Sequence, residues 1–267
     1  MGRRKRVPAV RFGVVYPYGT VARRVDDRTE EDQAERLDRL ERAHEEFLAM
    51  VAHEIRDPMT SCIGFAELLL QRPQGMTEEE RREALAAIAR TGRRLVDLLE
   101  DILDVSRIEA GSLPYVMRRI DLNDVVRAVL DERRTSLDGI RIEVETPEPA
   151  MVEGDPDRLH QVVANLVSNA VKFSAGRSPV RIATSAADRE VELTVRDEGI
   201  GIAAEDLPKL FQRFVRIPQP GGQDRIPGTG LGLYISRTIV LAHHGRIWAE
   251  SSPGHGSIFH VALPAAG

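Results

Sequence analysis

The chain has 267 residues, 42% of them hydrophobic, 30% charged and 4% aromatic. That length suits about two domains, and the composition is soluble, charge-rich and helix-leaning. The 37 basic and 42 acidic residues leave a net charge of −5, which argues against a general nucleic-acid binder, whose footprint is a basic excess.

The single cysteine, Cys62, excludes an internal disulfide framework and a cysteine zinc site, and fits a reducing compartment. No run approaches the roughly 18–20 apolar residues of a membrane span. The basic start, Met1 to Arg6, has no apolar segment behind it and so reads as a solvated terminus rather than a secretory signal. These features lead to the expectation of a cytoplasmic protein with no transmembrane segment.

In chain order, residues 1–28 carry a strand-like run, Val10 to Tyr16, punctuated by Pro17 and Gly19. This is too short to bury a core alone. Helical composition begins near Thr29, whose Thr29-Glu30-Glu31-Asp32 start resembles a capping box, and runs to Gln71 with one interruption at Pro58. Val51, Ile55, Cys62, Ala66 and Leu69 trace its apolar face, which leaves His53 pointing outward.

Arg72 to Gly75 form a turn, and Thr77 with three following glutamates caps a second long helix. Leu85, Ile88, Gly92, Leu95, Leu99, Ile102 and Ser106 recur there at alternating spacings of three and four, the signature of a coiled-coil seam. A lone antiparallel hairpin leaves such a seam partly wet, so the sequence predicts a homodimer forming a four-helix bundle.

Residues 113–119 read as a linker, and residues 120–267 as a separate α+β two-layer sandwich. Strands are expected at Arg141–Glu145, Val180–Thr184, Val191–Val195, Arg246–Ala249 and Ile258–Ala262. Helices are expected at about Leu122–Arg134, Pro156–Phe173 and Leu231–His243.

The helix opened by Asp155-Pro156 carries Gln161, Asn165, Asn169 and Lys172 as one polar stripe. Wet faces elsewhere in this chain are made of glutamate and arginine. Here stand two asparagines beside one of only three lysines, and neutral oxygen donors next to an ammonium suit a magnesium–triphosphate. Further on, Asp197-Glu198-Gly199-Ile200-Gly201 follows a strand, and Gly228-Thr229-Gly230-Leu231-Gly232-Leu233 leads into a helix. Glycines admit close backbone approach to phosphates. Neither glycine run is a P-loop or a dinucleotide fingerprint.

Two sets of residues carry a resemblance. The stretch Phe47 to Thr60, with His53-Glu54-Ile55-Arg56-Asp57-Pro58, resembles the phosphoacceptor segment of bacterial sensor histidine kinases. The asparagine helix, Asp197-x-Gly199-x-Gly201, Phe211-Gln212-Arg213-Phe214 and the second glycine run resemble, in order, the N, G1, F and G2 boxes of the histidine-kinase ATPase domain. That fold is shared with the Hsp90, gyrase B and mismatch-repair ATPases. The resemblance covers roughly residues 36–265 and implies a helical dimerisation and phosphotransfer domain over 29–112, followed by the catalytic ATP-binding domain.

It implies further that His53 is the phosphate-accepting nucleophile, with Glu54 as its base. Asn165 would hold Mg²⁺, Asn169 and Lys172 would meet the phosphates of ATP, and Asp197 would accept from the adenine amino group. Gly199, Gly201, Gly228, Gly230 and Gly232, together with Thr229 and Leu231, would shape the pocket, and residues 203–227 would form the ATP lid. Arg213 and Arg216 stay open between phosphate contact and a solvated role. The implied partner is a response regulator, whose receiver aspartate takes the phosphoryl group.

In this family the position four after the histidine is commonly Thr or Asn, and here it is Asp57. A carboxylate there repels an aspartyl phosphate, so weak phosphatase activity is expected. The run from Tyr16 to Glu30 faintly resembles the end of a PAS sensor domain, and residues 1–28 read either as a sensor remnant or as a docking strand for a separate sensor protein. Other readings are an ATPase whose nucleotide cycle drives conformational change, and a regulatory module that binds without catalysis.

Overall fold

The computed structural model describes residues 49, 51–71, 75–134, 140–174, 178–187, 189–217 and 229–266. All of them belong to one compact unit, Ala49–Gly267. The readings made for residues 1–28, for the helix start at Thr29, for lid residues 218–227 and for Gly228 lie outside the described residues.

Helix α1 spans residues 51–71 and continues through Pro58. Val51, Ile55, Cys62, Ala66 and Leu69 are half-buried and Pro58 is buried between them, so the expected apolar face is the inner one. Helix α2, Glu78–Glu109, begins in a capping box in which the Thr77 hydroxyl accepts from the Glu80 N–H and the Glu80 carboxylate accepts from the Thr77 N–H. The two helices are antiparallel neighbours: Cys62 Sγ lies 3.7 Å from the Ile88 carbonyl, and Arg94 reaches Glu54.

The stripe predicted for α2 is only half the story. Leu85 and Leu99 on that seam are about half exposed, at 54% and 50%, whereas Ala84, Leu98 and Val105, one position earlier in each turn, are buried. Periodicity finds the residues that repeat, but α2 has a second neighbour besides α1, the α+β domain that follows, on which it packs through α5.

That domain begins with β1, Arg118–Asp121, and α3, Leu122–Glu132. Next come β2, Ile142–Glu145, β3, Met151–Gly154, and α4, Pro156–Phe173. It closes with β4, Val180–Ala187, β5, Glu190–Asp197, α5, Gly232–Ala242, β6, Arg246–Ser251, and β7, Ser257–Pro264. The main sheet has the order β2-β4-β5-β7-β6 and is antiparallel except where β2 runs parallel to β4. A separate antiparallel pair joins β1 to β3, so the segment read as a linker already contributes Arg118 and Arg119 to a strand.

Helices α3, α4 and α5 pack together as one layer, and α4 also packs on β4 and β5. The buried residues of α4, Leu159, Val162, Val163, Leu166, Val167 and Ala170, each gain about 1.5–3 kcal/mol on burial where the side chain is Val or Leu. This leaves the polar stripe on the opposite edge of the helix. A buried histidine fixes the relative position of α4 and α5. His243 Nε2 accepts from the Asp155 N–H at 2.9 Å, and its Nδ1–H donates to the Ile239 carbonyl at 2.7 Å. Burial lowers the pKa of this imidazole, favouring the neutral tautomer that the two bonds require.

Candidate functional site

Asn165, Asn169 and Lys172 stand on one side of α4, a turn apart, and face a cavity of about 730 Å³, within the range of small-molecule sites. Asp197, Gly201, Thr229, Gly230 and Gly232 line the same cavity. Its apolar part comes from Ile200, Ile202, Leu210, Val215 and Phe259. Gly199 and Leu231 stand one layer back, Leu231 fully buried in the core.

Each glycine in the wall answers to a close contact. A Cβ at Gly232 would sit 2.3 Å from Asn165 Oδ1, and one at Gly199 2.2 Å from the Phe173 carbonyl. Gly201 and Gly230 have φ of +68° and +69°, where side chains are strained.

The polar groups are held by neighbours. Asn165 donates its amide N–H to Ser236 Oγ at 2.9 Å, which turns its carbonyl oxygen into the donor atom available to a hard cation. Asp197 is 2% exposed and accepts from the Gly199 N–H at 2.8 Å. Burial raises its carboxyl above the usual range, partly offset by backbone N–H groups of Gly199 and Ser257. Thr229 accepts from the Leu231 N–H at 3.1 Å and donates to Asp101 at 3.4 Å.

The ceiling of the cavity comes from the helical hairpin. Glu54 and Pro58 of α1 and Arg94, Asp97, Leu98 and Asp101 of α2 all line it. Burial, above the effect of neighbouring acids, pushes the Asp101 carboxyl up to about 7. Burial, Arg94 and Arg216 pull the Lys172 ammonium down to about 8, against Glu54. Sequence reasoning missed Arg94, Asp97 and Asp101, because on a charge-rich helix they look like any solvated face.

His53 does not line the cavity. Its side chain is 67% exposed, with Nδ1 3.3 Å from the Asp57 carboxylate. Glu54 is turned the other way, 13% exposed and paired with Arg216 at 2.8 Å and Arg94 at 3.5 Å. Gln161, expected on the polar stripe of the site, instead joins Arg158 in donating to Asp104 Oδ2 of α2, both at 2.8 Å. Asp104 is 5% exposed, so this pair of bonds clasps the two domains. Arg213 pairs with Glu109 at the end of α2.

Residues 43–111 match the family model of the His Kinase A (phospho-acceptor) domain, and residues 154–267 that of the histidine kinase-, DNA gyrase B- and HSP90-like ATPases. The chain is 34% identical over 252 residues to the circadian input-output histidine kinase CikA of Synechococcus elongatus, a match covering 92% of this chain and 33% of that one. To the signal transduction histidine-protein kinase AfsQ2 of Streptomyces coelicolor it is 34% identical over 233 residues, 84% of this chain and 42% of that one. The chain therefore spans well under half the length of these curated relatives.

Among solved structures, the Acinetobacter baumannii histidine kinase AdeS superposes with a TM-score of 0.60 at 26% identity, over 80% of this chain and 98% of that one. Histidine kinase ThkA, solved in complex with response regulator protein TrrA, superposes with a TM-score of 0.59 at 26% identity, over 89% of this chain and 66% of that one.

Proposed function

This chain belongs to the bacterial sensor histidine kinases, and from that premise we propose that it is an ATP-dependent protein-histidine kinase that autophosphorylates His53. The observation that carries the reading is the placement of Glu54. It lines the cavity of Asn165, Asn169, Lys172 and Asp197, while the adjacent His53 is exposed to solvent. On this reading the ATPase domain swings around α1 by about 100°, the angle between consecutive helical residues, to bring the cavity mouth from Glu54 to His53.

In this reading the adenine lies against Asp197 and the apolar wall, and the triphosphate lies along Asn165, Asn169 and Lys172. Asn165 offers a carbonyl oxygen to Mg²⁺, which when bound neutralises phosphate charge. Lys172 adds a cation beside the transferred group. A neutral His53 ring nitrogen attacks the γ-phosphorus in line, the bond to the β–γ bridging oxygen breaks, and ADP leaves. Glu54, released from its arginines, takes the single N–H proton from the ring nitrogen that does not attack. The phosphoimidazole then passes its phosphoryl group to an aspartate of a response regulator, the partner type bound by ThkA in its solved complex.

We further read the chain as a homodimer, through Met59, Ile63, Leu85, Val96, Leu99 and Leu103, which are all about half exposed on the hairpin. Sedimentation as a dimer at micromolar concentration is expected, and a monomer would sink this part. Among the described residues no helix is long and apolar enough to cross a membrane. On this reading the nucleotide substrate and the receiver partner support a cytoplasmic reaction.

The test is incorporation of label from γ-³²P-ATP with Mg²⁺ into the full chain and into His53→Gln. The expected label is stable to base, labile to acid and absent from the variant. Hydrolysis of ATP without any label in the wild type would move the reading to a nucleotide-driven conformational ATPase.

A further inference from the structure

The proposed base is engaged elsewhere in this structure. Glu54 Oε1 accepts from Arg216 Nη1 at 2.8 Å and Oε2 lies 3.5 Å from Arg94 Nη2, so both oxygens face cations and neither faces His53. The imidazole meets Asp57 instead. Arg94, Lys172 and Arg216 all line the cavity, as do Glu54, Asp97, Asp101, Asp197 and Asp206. Glu54 is the carboxylate that bonds both arginines, and Lys172 feels the same two arginines and Glu54. An anionic ligand entering beside Asn165 and Asn169 therefore competes with Glu54 for the same cations.

We propose that Arg216 is a positioning residue shared in turn by Glu54 and the nucleotide. In the free chain it holds the base of the reaction inside the cavity, and an arriving triphosphate takes it over and releases Glu54 toward His53. The proposal rests on the reading of this cavity as the ATP site and of Glu54 as the base. It gives the kinase an order of events: the group that deprotonates the acceptor becomes available only after the phosphoryl donor is seated. A triphosphate carries more charge than one carboxylate and meets Arg216, Arg94 and Lys172 together, so the exchange runs in its favour.

Competition for a shared partner has a thermodynamic signature in binding alone. Affinity of the full chain for a non-hydrolysable ATP analogue with Mg²⁺, read by calorimetry, should rise about threefold to tenfold in Glu54→Gln, because the competitor is gone. Arg216→Ala should weaken binding. In the Arg216→Ala background the gain from Glu54→Gln should fall to under about twofold, what the longer Arg94 contact leaves, and Arg216→Lys should restore part of the coupling. Asp97→Asn removes a negative charge from the same cavity and should act equally with and without Arg216.

An equal gain from Glu54→Gln in both backgrounds would reduce Glu54 to through-space repulsion and overturn the exchange. No gain at all in the wild-type background would also overturn it, while leaving the kinase reading intact. Failure of the wild-type chain to bind the analogue would overturn the nucleotide site and the exchange together.

Discussion

The two halves of the candidate reaction centre are built in opposite ways. On the ATPase side three of the polar groups are firmly anchored: Asn165 by Ser236, Asp197 by the Gly199 amide, Thr229 by Leu231 and Asp101. On the hairpin side His53 is largely in solvent, with the exposed Asp57 carboxylate beside its ring. On the proposed reading, the difference teaches that nucleotide recognition is built into packing, whereas the acceptor is left accessible to more than one visitor. An exposed helix side chain can be presented first to the ATPase domain and then to a receiver domain. A buried one cannot.

The comparison predicts that changes on the anchored side cost most. Asn165→Ala removes the oxygen proposed to hold Mg²⁺ and should reduce autophosphorylation about 100-fold or more, measured as label on His53. Full activity in that variant would contradict the metal assignment. Gly232→Ala is next, because its methyl would meet Asn165 Oδ1 at 2.3 Å. The asparagine must move, and nucleotide affinity should fall by about tenfold to 100-fold in calorimetry.

The seam between the halves should respond to pH. The Asp101 carboxyl is raised from 3.8 to about 7, chiefly by burial, so the folded protein keeps a proton that the unfolded chain releases near pH 4. Stability from this group is therefore lost as pH rises from about 4 through 7, and the cost is complete above 7. Asp101→Asn, neutral throughout, should stabilise the chain by about 2–4 kcal/mol at pH 8 and leave it unchanged near pH 4. In thermal melts this is roughly 5–10 °C. A gain of equal size at both pH values would break the electrostatic account.

The smallest effect is expected on the solvent side. Asp57→Thr should raise dephosphorylation of a phosphorylated receiver domain about twofold to fivefold, since an exposed charge is worth under about 1 kcal/mol. Loss of autophosphorylation in the same variant would show that the Asp57 contact to the ring matters more than its charge.

Much of the fold was legible because local chemistry and packing agree. Asp155-Pro156 marked the start of α4 and the apolar period marked its face, and the helix runs Pro156–Phe173 as expected. The five strands of the main sheet were placed within a few residues of their ends. Strands β1 and β3 were missed, being four residues each and rich in Arg, Glu and Gly, with no alternation long enough to count. The glycine runs and the asparagine stripe converge on one cavity although about 25 residues or more separate them in the chain, because β5, α4 and α5 meet there.

By itself the sequence determined the two-part architecture, the outward histidine, and which polar residues share a helix face, since each follows from periodicity, caps and residue type within a few turns of chain. Only the tertiary structure decided which arginines hold Glu54, and that Asp97 and Asp101 roof the cavity. Those outcomes depend on residues 40 to 162 positions apart in the chain, brought together by packing of the hairpin on the ATPase domain. Charge pairing at such range leaves no local pattern, because a carboxylate on a helix reads the same whether water or a distant arginine faces it.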